Sequence, residues 1–242
     1  MNILVLHKIV ENKPKEWSEV NLVFFKNLLN NIIHNNLKLT SLSEWKKNNI
    51  GDIVLTFDDG LISDYELVYP LLRKMNLKAT FFIVADFVGK SGYLNWDNIK
   101  EMSNSGMEIA SHSSSHKYMT NLEVSQIKYE LEISKIKIEK EIGKEIDSFA
   151  YPYGDCSNKL NRFAFEAGYK YICNSRPGLN DLNSSILSRN SIHSNIRSSD
   201  INRVLFPKQY EIAFQKIGYE ARSILKKSLG VNNYLKLREL IY

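Results

Sequence analysis

With 242 residues, 43% of them hydrophobic, the chain is long enough for one well-buried domain and has a folded, not a disordered, composition. Its formal charge of +5 is too mild to point to nucleic acid, and no apolar run approaches the roughly 20 residues needed to span a bilayer. Two cysteines, Cys156 and Cys173, lie outside any zinc-ribbon spacing and argue against a disulfide framework.

The apolar run at residues 3–6 reads as a first strand; it lacks the basic start and cleavage site of a secretion signal, so a cytoplasmic location is expected. A helical pattern follows over 16–30, where Val20, Phe24, Leu28 and Ile32 recur near helical spacing. Residues 51–57 form a strand-like run that ends in Asp58-Asp59-Gly60. A helix is expected at 65–75, a buried strand at 79–84, and a helix at 95–105 closed by Gly106. Next come a strand at 107–112 and a long charge-laced helix at 121–142, stopped by Gly143. Further strands fit 148–151, 169–174 and 186–188, with a helix at 159–167 between the first two. Beyond about 198 the strand signals stop, and helices are expected at 209–229 and 232–241. Alternating strands and helices with continuous apolar strands give an α/β class: a distorted or incomplete (β/α) barrel of about seven parallel strands over 1–197, with a C-terminal helical extension at 198–242.

Three strand ends carry chemistry. Asp58 and Asp59 are costly to place beside a buried strand without a cation or proton to offset them. Gly60 lets the chain turn so that both acids face the mouth of the sheet, where active sites of parallel barrels lie. The same tripeptide is also good turn chemistry, and alone it leaves the two readings even. His112 and His116, four apart after the next strand but one, could share one side of a helical turn and reach one metal. Carboxylate and imidazole together make a mixed site of the type that binds Zn²⁺ or a similar divalent ion. The run Phe149-Ala150-Tyr151-Pro152-Tyr153-Gly154 ends a strand in a turn able to present a backbone N–H to a cavity.

Thr-Phe-Asp-Asp-Gly at 56–60, Ser-His-Ser-Ser-Ser-His at 111–116, Phe-Ala-Tyr-Pro-Tyr-Gly at 149–154 and Leu-Ser-Arg-Asn-Ser-Ile at 187–192, in that order, resemble the polysaccharide deacetylases with a NodB homology domain, carbohydrate esterase family 4. The resemblance covers about residues 1–197. It implies a metal-dependent N-deacetylase acting on an N-acetylated amino sugar in glycan biosynthesis. Asp59, His112 and His116 would bind one divalent ion, zinc before cobalt, nickel, manganese or iron, and Asp58 would be the general base. The backbone N–H of Tyr153 would help hold the oxyanion.

The chain departs from the family pattern at two places. Many members have Arg where Ala150 stands, to orient the base; Arg189 could reach that place from another strand end, or could be a surface or salt-bridged Arg. The Leu-His-Asp type motif that supplies the general acid is absent; His193 is the nearest substitute, and His7, after the first strand, is the competing substrate-site histidine. His34 reads as structural or exposed, and Trp17 and Trp45 as helix packing. Tyr93, Trp96, Tyr118, Tyr151 and Tyr153 would suit stacking on sugars, though most read as core or rim. The same machinery would serve a sugar deformylase or a cyclic imide or ureide hydrolase, and a non-catalytic glycan-binding relic is the reading from another class. In the tail, Ile217, Ala221, Ile224 and Leu225 make an apolar stripe expected to pack on the domain; the alternative is peripheral contact with the inner face of a membrane. Nucleic acid is not an expected partner.

Overall fold

In the computed structural model, which describes residues 1–154 and 156–229, the apolar runs become strands of a single parallel sheet. The first half comprises β1 (Asn2–Leu6), β2 (Lys8–Val10), β3 (Glu19–Asn21), α1 (Leu22–His34), β4 (Leu39–Thr40), α2 (Leu42–Asn48), β5 (Ile53–Phe57), α3 (Tyr69–Lys74) and β6 (Thr80–Ile83). Then follow α4 (Trp96–Asn104), β7 (Glu108–Ser111), α5 (Val124–Ile142), β8 (Ser148–Ala150), α6 (Asn158–Glu166), β9 (Tyr171–Cys173), β10 (Ile186–Leu187), β11 (Asn190–Ser191), α7 (Ile201–Leu205) and α8 (Gln209–Leu229).

The strand order is β10-β9-β8-β7-β6-β5-β1-β11, with β4 added on β5. Its two ends belong to one extended run. β10 pairs with β9 at Ile186↔Ile172, and β11, just downstream, pairs with β1 at Leu4↔Asn190. A single segment therefore grips both edges of the sheet and closes seven strand positions into a barrel. Arg189 sits where that segment crosses from one edge to the other.

Strand periodicity sorts the core into two layers. Ile3, Val54, Phe82, Ala110, Ala150 and Cys173 fill the barrel, joined by Leu42 and Trp45 of α2. Their neighbours Leu4, Leu55, Phe81, Ile109, Phe149 and Ile172 face the helices. Glu108 secures α2 across the bottom, accepting from the Ser43 N–H at 2.8 Å, Thr80 Oγ1 at 2.9 Å and Ser148 Oγ at 2.7 Å. The C-terminal strand ends are left open for polar groups.

Several local expectations change. The first helix starts at Leu22, not near residue 16, because Asn21 caps it by accepting from the Val23 N–H at 2.8 Å. Residues 19–21 instead pair with 8–10 as a small parallel ladder, so Trp17 lies in a turn and not on a helix. Trp45 is buried on α2 as expected of a packing residue. The 65–75 helix opens with a π-helical turn, Asp64–Val68, just before Pro70, which has no N–H to continue an α-helical ladder. The stripe of α8 does not pack on the barrel: Ile217 and Ile224 are 64% and 68% exposed, whereas Ile212, outside the stripe, is buried. The helix expected at 232–241 lies outside the described residues. No helix among the described residues is long and apolar enough to cross a membrane.

Candidate metal centre and cleft

β5 delivers Asp58 and Asp59 to the open end of the barrel. Asp58 continues the strand, donating its N–H to Leu6 O at 3.0 Å, and its carboxylate is buried. Asp59 has φ of +78°, followed by Gly60 at +69°. The turn therefore begins at the aspartate itself, and the left-handed backbone brings the second carboxylate back toward the mouth instead of to the outer face. A non-glycine residue held there carries a strain of about 1–3 kcal/mol, which persists only where surroundings fix it.

The imidazoles come from the loop after β7. Here the helical-turn expectation fails: Ser113 has φ of +67° and His116 of +58°, so the two rings converge through a tight non-helical loop. Three consecutive serines hold that loop. Ser113 Oγ accepts from the His116 N–H at 3.1 Å, Ser114 Oγ donates to Asp86 at 3.0 Å, and Ser115 donates its hydroxyl to the buried Glu130, which also takes its N–H at 2.7 Å. A Ser-rich stretch that looks like generic loop sequence is thus a fixed scaffold.

Asp59 Oδ1 lies 3.5 Å from His112 Nε2 and 3.2 Å from His116 Nε2, and one ligand atom from each residue falls within 4.8 Å of the others. A tetrahedral ion with bonds of ~2.0–2.1 Å holds its ligands ~3.3–3.4 Å apart, so this spacing fits one. Two further observations agree. Buried Asp59 Oδ1 has no hydrogen-bond partner among the described residues. His112 Nδ1 is 2.8 Å from Ala150 O, so it carries the proton and leaves the Nε2 lone pair toward the site. Burial lowers the His112 pKa to about 4, keeping the ring neutral, the form that ligates a metal. Burial pushes the Asp59 carboxyl up, but the His116 and His112 imidazoles more than offset this and hold it below the usual range.

Arg189 reaches Asp58 from the segment between β10 and β11, two strand positions from β8 and its Ala150. Its Nη1 and Nη2 donate to the two oxygens of Asp58 at 2.6 and 2.8 Å, and its Nε donates to Asn174 O at 3.0 Å. Its guanidinium lies 5.2 Å from the Phe82 ring centre and is fully buried. A forked, bidentate contact fixes the orientation of the carboxylate as well as its charge. Burial opposes ionisation of Asp58, yet the Arg189 guanidinium together with the His112 and His7 imidazoles outweighs it and keeps the carboxyl below its ordinary range.

Around this centre lies a cleft of about 1390 Å³. His7, Tyr153 and His193 all line it, as do Asp58, Asp59, His112 and His116. Every predicted site residue thus faces the cleft except Arg189, which stands behind Asp58. Tyr153 has φ of +59°, and its ring stacks on Tyr118 at 3.8 Å and lies 4.7 Å from His116. Gly154 follows at +65°; a Cβ there would meet Ser175 Cβ at 2.6 Å. Of the other aromatic residues, Tyr151 is buried against Phe149, Tyr93 packs on Phe87, and Trp96 packs on the core. His34 is exposed at the end of α1, and both cysteines are free thiols.

Two features of the cleft had no signal in the sequence. Trp17 stacks on His193 at 4.8 Å and 18°, and its carbonyl accepts from the Ser194 N–H at 3.1 Å. The Asn195 N–H donates to His193 Nδ1 at 3.3 Å, so the proton of the neutral ring sits on Nε2. Burial and then the nearby Arg222 cation lower the His193 pKa. Arg222 belongs to α8, which walls the cleft with Gln215 and Tyr219.

A sequence model of the family described as polysaccharide deacetylase matches residues 46–172. YxkH of Bacillus subtilis is 29% identical over 137 residues, covering 57% of this chain and 49% of that protein. The peptidoglycan-N-acetylglucosamine deacetylase of Bacillus cereus is 30% identical over 143 residues, covering 58% of this chain and 65% of that protein. The chain thus spans about half to two thirds of the length of these two relatives. Among solved structures, a Streptococcus pyogenes deacetylase, PplD, in complex with acetate superposes with a TM-score of 0.79 at 24% identity, covering 86% of this chain and 98% of that one. That likeness is one of fold.

Proposed function

The chain belongs to the polysaccharide deacetylase family, and we propose that it is a metal-dependent hydrolase that removes the acetyl group from an N-acetylated amino sugar of a glycan. The observation that carries this reading is the trio Asp59, His112 and His116 at divalent-ion spacing, with Asp58 beside it and held ionised by Arg189. A divalent ion in the trio, zinc by its nitrogen and oxygen donors, supplies Lewis-acid polarisation of the amide carbonyl and a more acidic water.

The chain's own groups then divide the work. Asp58 accepts the proton of the attacking water; its oxygens are oriented by Arg189, so the basic lone pairs are presented in one direction. The left-handed turn at Tyr153 is the element from which a backbone N–H would steady the developing oxyanion. His193, its ring clamped by Trp17, is the donor for the departing amine: as an imidazolium that has given up the Asn195 contact at Nδ1, it passes the Nε2 proton to the amine nitrogen and becomes neutral. Without that donation the tetrahedral adduct reverts. The paired rings of Tyr118 and Tyr153 offer an apolar face for a sugar. The cleft volume, about 1390 Å³, exceeds the ~300–1,000 Å³ typical of small-molecule sites, which favours a glycan over a free monosaccharide.

The test is acetate release from a panel of N-acetylated amino-sugar oligomers, run with formamido and cyclic-imide compounds in parallel. The reading expects acetate from at least one glycan, lost in Asp58→Asn. Absence of acetate from every oligomer with metal-loaded protein, or full turnover by Asp58→Asn, contradicts it.

A further inference from the structure

Helix α8 is oriented the wrong way round for an ordinary surface helix. Its polar residues Gln215, Tyr219 and Arg222 face the cleft. Tyr210, Ile217, Ile224 and Leu225 fall on a stripe that turns away from the cleft, with Phe214 at its edge beside the cleft rim; Tyr210, Phe214, Ile217, Ile224 and Leu225 are 57%, 71%, 64%, 68% and 41% exposed. An amphipathic helix normally buries such a stripe, and contiguous exposed apolar surface marks an interaction site.

The dimensions and charge select the occupant. A helix of 21 residues is ~32 Å long, and a stripe ~10 Å wide along it presents ~300 Å², well under the ~800 Å² per partner of a standard protein interface. A second copy of the chain is therefore a poor fit. Both acids of α8 are drawn to the barrel side: Glu211 pairs with Arg203 at 2.9 Å, and Glu220 pairs with Arg176. Lys216 lies over Gly178 and Arg222 faces the cleft, but beyond Glu220 the helix sequence carries Arg222, Lys226 and Lys227 and no acid. Lys208 lies 5.9 Å from the Tyr210 ring at the start of the stripe. An apolar stripe, aromatic residues at one end and an excess of basic over acidic residues toward the other are the pattern of a helix that lies in a lipid interface.

We propose that α8 docks the protein on an anionic membrane surface, with Tyr210, Phe214, Ile217, Ile224 and Leu225 at the boundary between headgroups and acyl chains. Phe214 also lines the cleft rim, so docking holds the cleft beside the lipid surface and favours a glycan carried there. That consequence rests on the hydrolase reading; the docking does not.

The experiment sediments the full chain with phosphatidylcholine vesicles, with or without phosphatidylglycerol, beside an Ile217→Ser/Ile224→Ser variant. Both positions lie away from the cleft lining. The wild type should bind the anionic vesicles, more weakly at high salt, and the variant should bind at least ~10-fold less. The variant should keep its melting temperature and its turnover of a soluble substrate. Absence of binding to anionic vesicles, or equal binding by the variant, overturns the proposal. A dimer in light scattering that the variant dissolves assigns the stripe to a second copy and also overturns it. So does a lowered melting temperature in the variant, which means that the protein's own chain covers the stripe. If no substrate is turned over by either protein while the vesicle result holds, only the hydrolase reading fails.

Discussion

Arg189→Met removes a guanidinium that makes four hydrogen bonds inside the barrel, two of them to Asp58. The methionine keeps much of the side-chain volume, so the main effect is to leave the Asp58 carboxylate buried without its counter-charge. Breaking a buried pair in this way costs about 3–5 kcal/mol. Unfolding entropy of ~2.1 cal/mol/K per residue over 242 residues gives ~0.5 kcal/mol/K, so the melting temperature should fall by roughly 6–10 °C. Adding Asp58→Asn in the same chain removes the orphan charge and should restore at least half of the loss. The assay is thermal unfolding of chelator-treated wild type, the two single variants and the double variant. A melt of Arg189→Met within about 2 °C of wild type, or a double variant no better than the single, refutes the buried-pair reasoning. The same substitution should raise the Asp58 pKa, so any remaining activity should lose its acid limb at higher pH than wild type.

Other expectations follow from the same geometry. His112 has a folded pKa of about 4 against an ordinary 6.5, so metal-free protein keeps its full share of stability above pH 6.5 and loses it as pH falls toward 4. The loss is on the order of 3 kcal/mol; denaturation midpoints across that range should fall in wild type and stay flatter in His112→Gln. His193→Gln should lower kcat by about 10²–10⁴-fold and abolish the alkaline limb of the rate profile, which in wild type should lie below the ordinary histidine value. An unchanged alkaline limb in the variant would assign the acid elsewhere. Gly154→Ala places a Cβ 2.6 Å from that of Ser175 in a left-handed turn, and should destabilise by ~1–3 kcal/mol while raising KM through Tyr153. A variant with wild-type melt and KM would show that the turn yields.

The chemistry was more legible than the geometry that assembles it. Asp58, Asp59, His112 and His116 are conspicuous because charged and imidazole groups at buried strand ends need a compensating partner, and the barrel brings all four together. Arg189 was legible only as an arginine near another strand end; that its segment closes the barrel, and so aims the side chain across the interior at Asp58, depends on pairing between residues far apart in the chain. The H-x-x-x-H spacing misled, because left-handed Ser113 and His116 achieve the convergence that a helical turn was expected to provide. β2, β3, β4 and β11 have two or three residues each, too few for a period to register. The 16–30 pattern overran the helix because Val20 is buried in a strand one helical step ahead of Phe24. Trp17 gave no sign of meeting His193, and the stripe of α8 showed an apolar face without showing which way it turns.

Metal content tests the central claim most directly. Elemental analysis of protein loaded with zinc and passed through a desalting column should find one equivalent per chain in wild type and in Asp58→Asn, and little in His112→Ala or Asp59→Ala. Equal zinc in wild type and in both ligand variants would contradict the assigned centre.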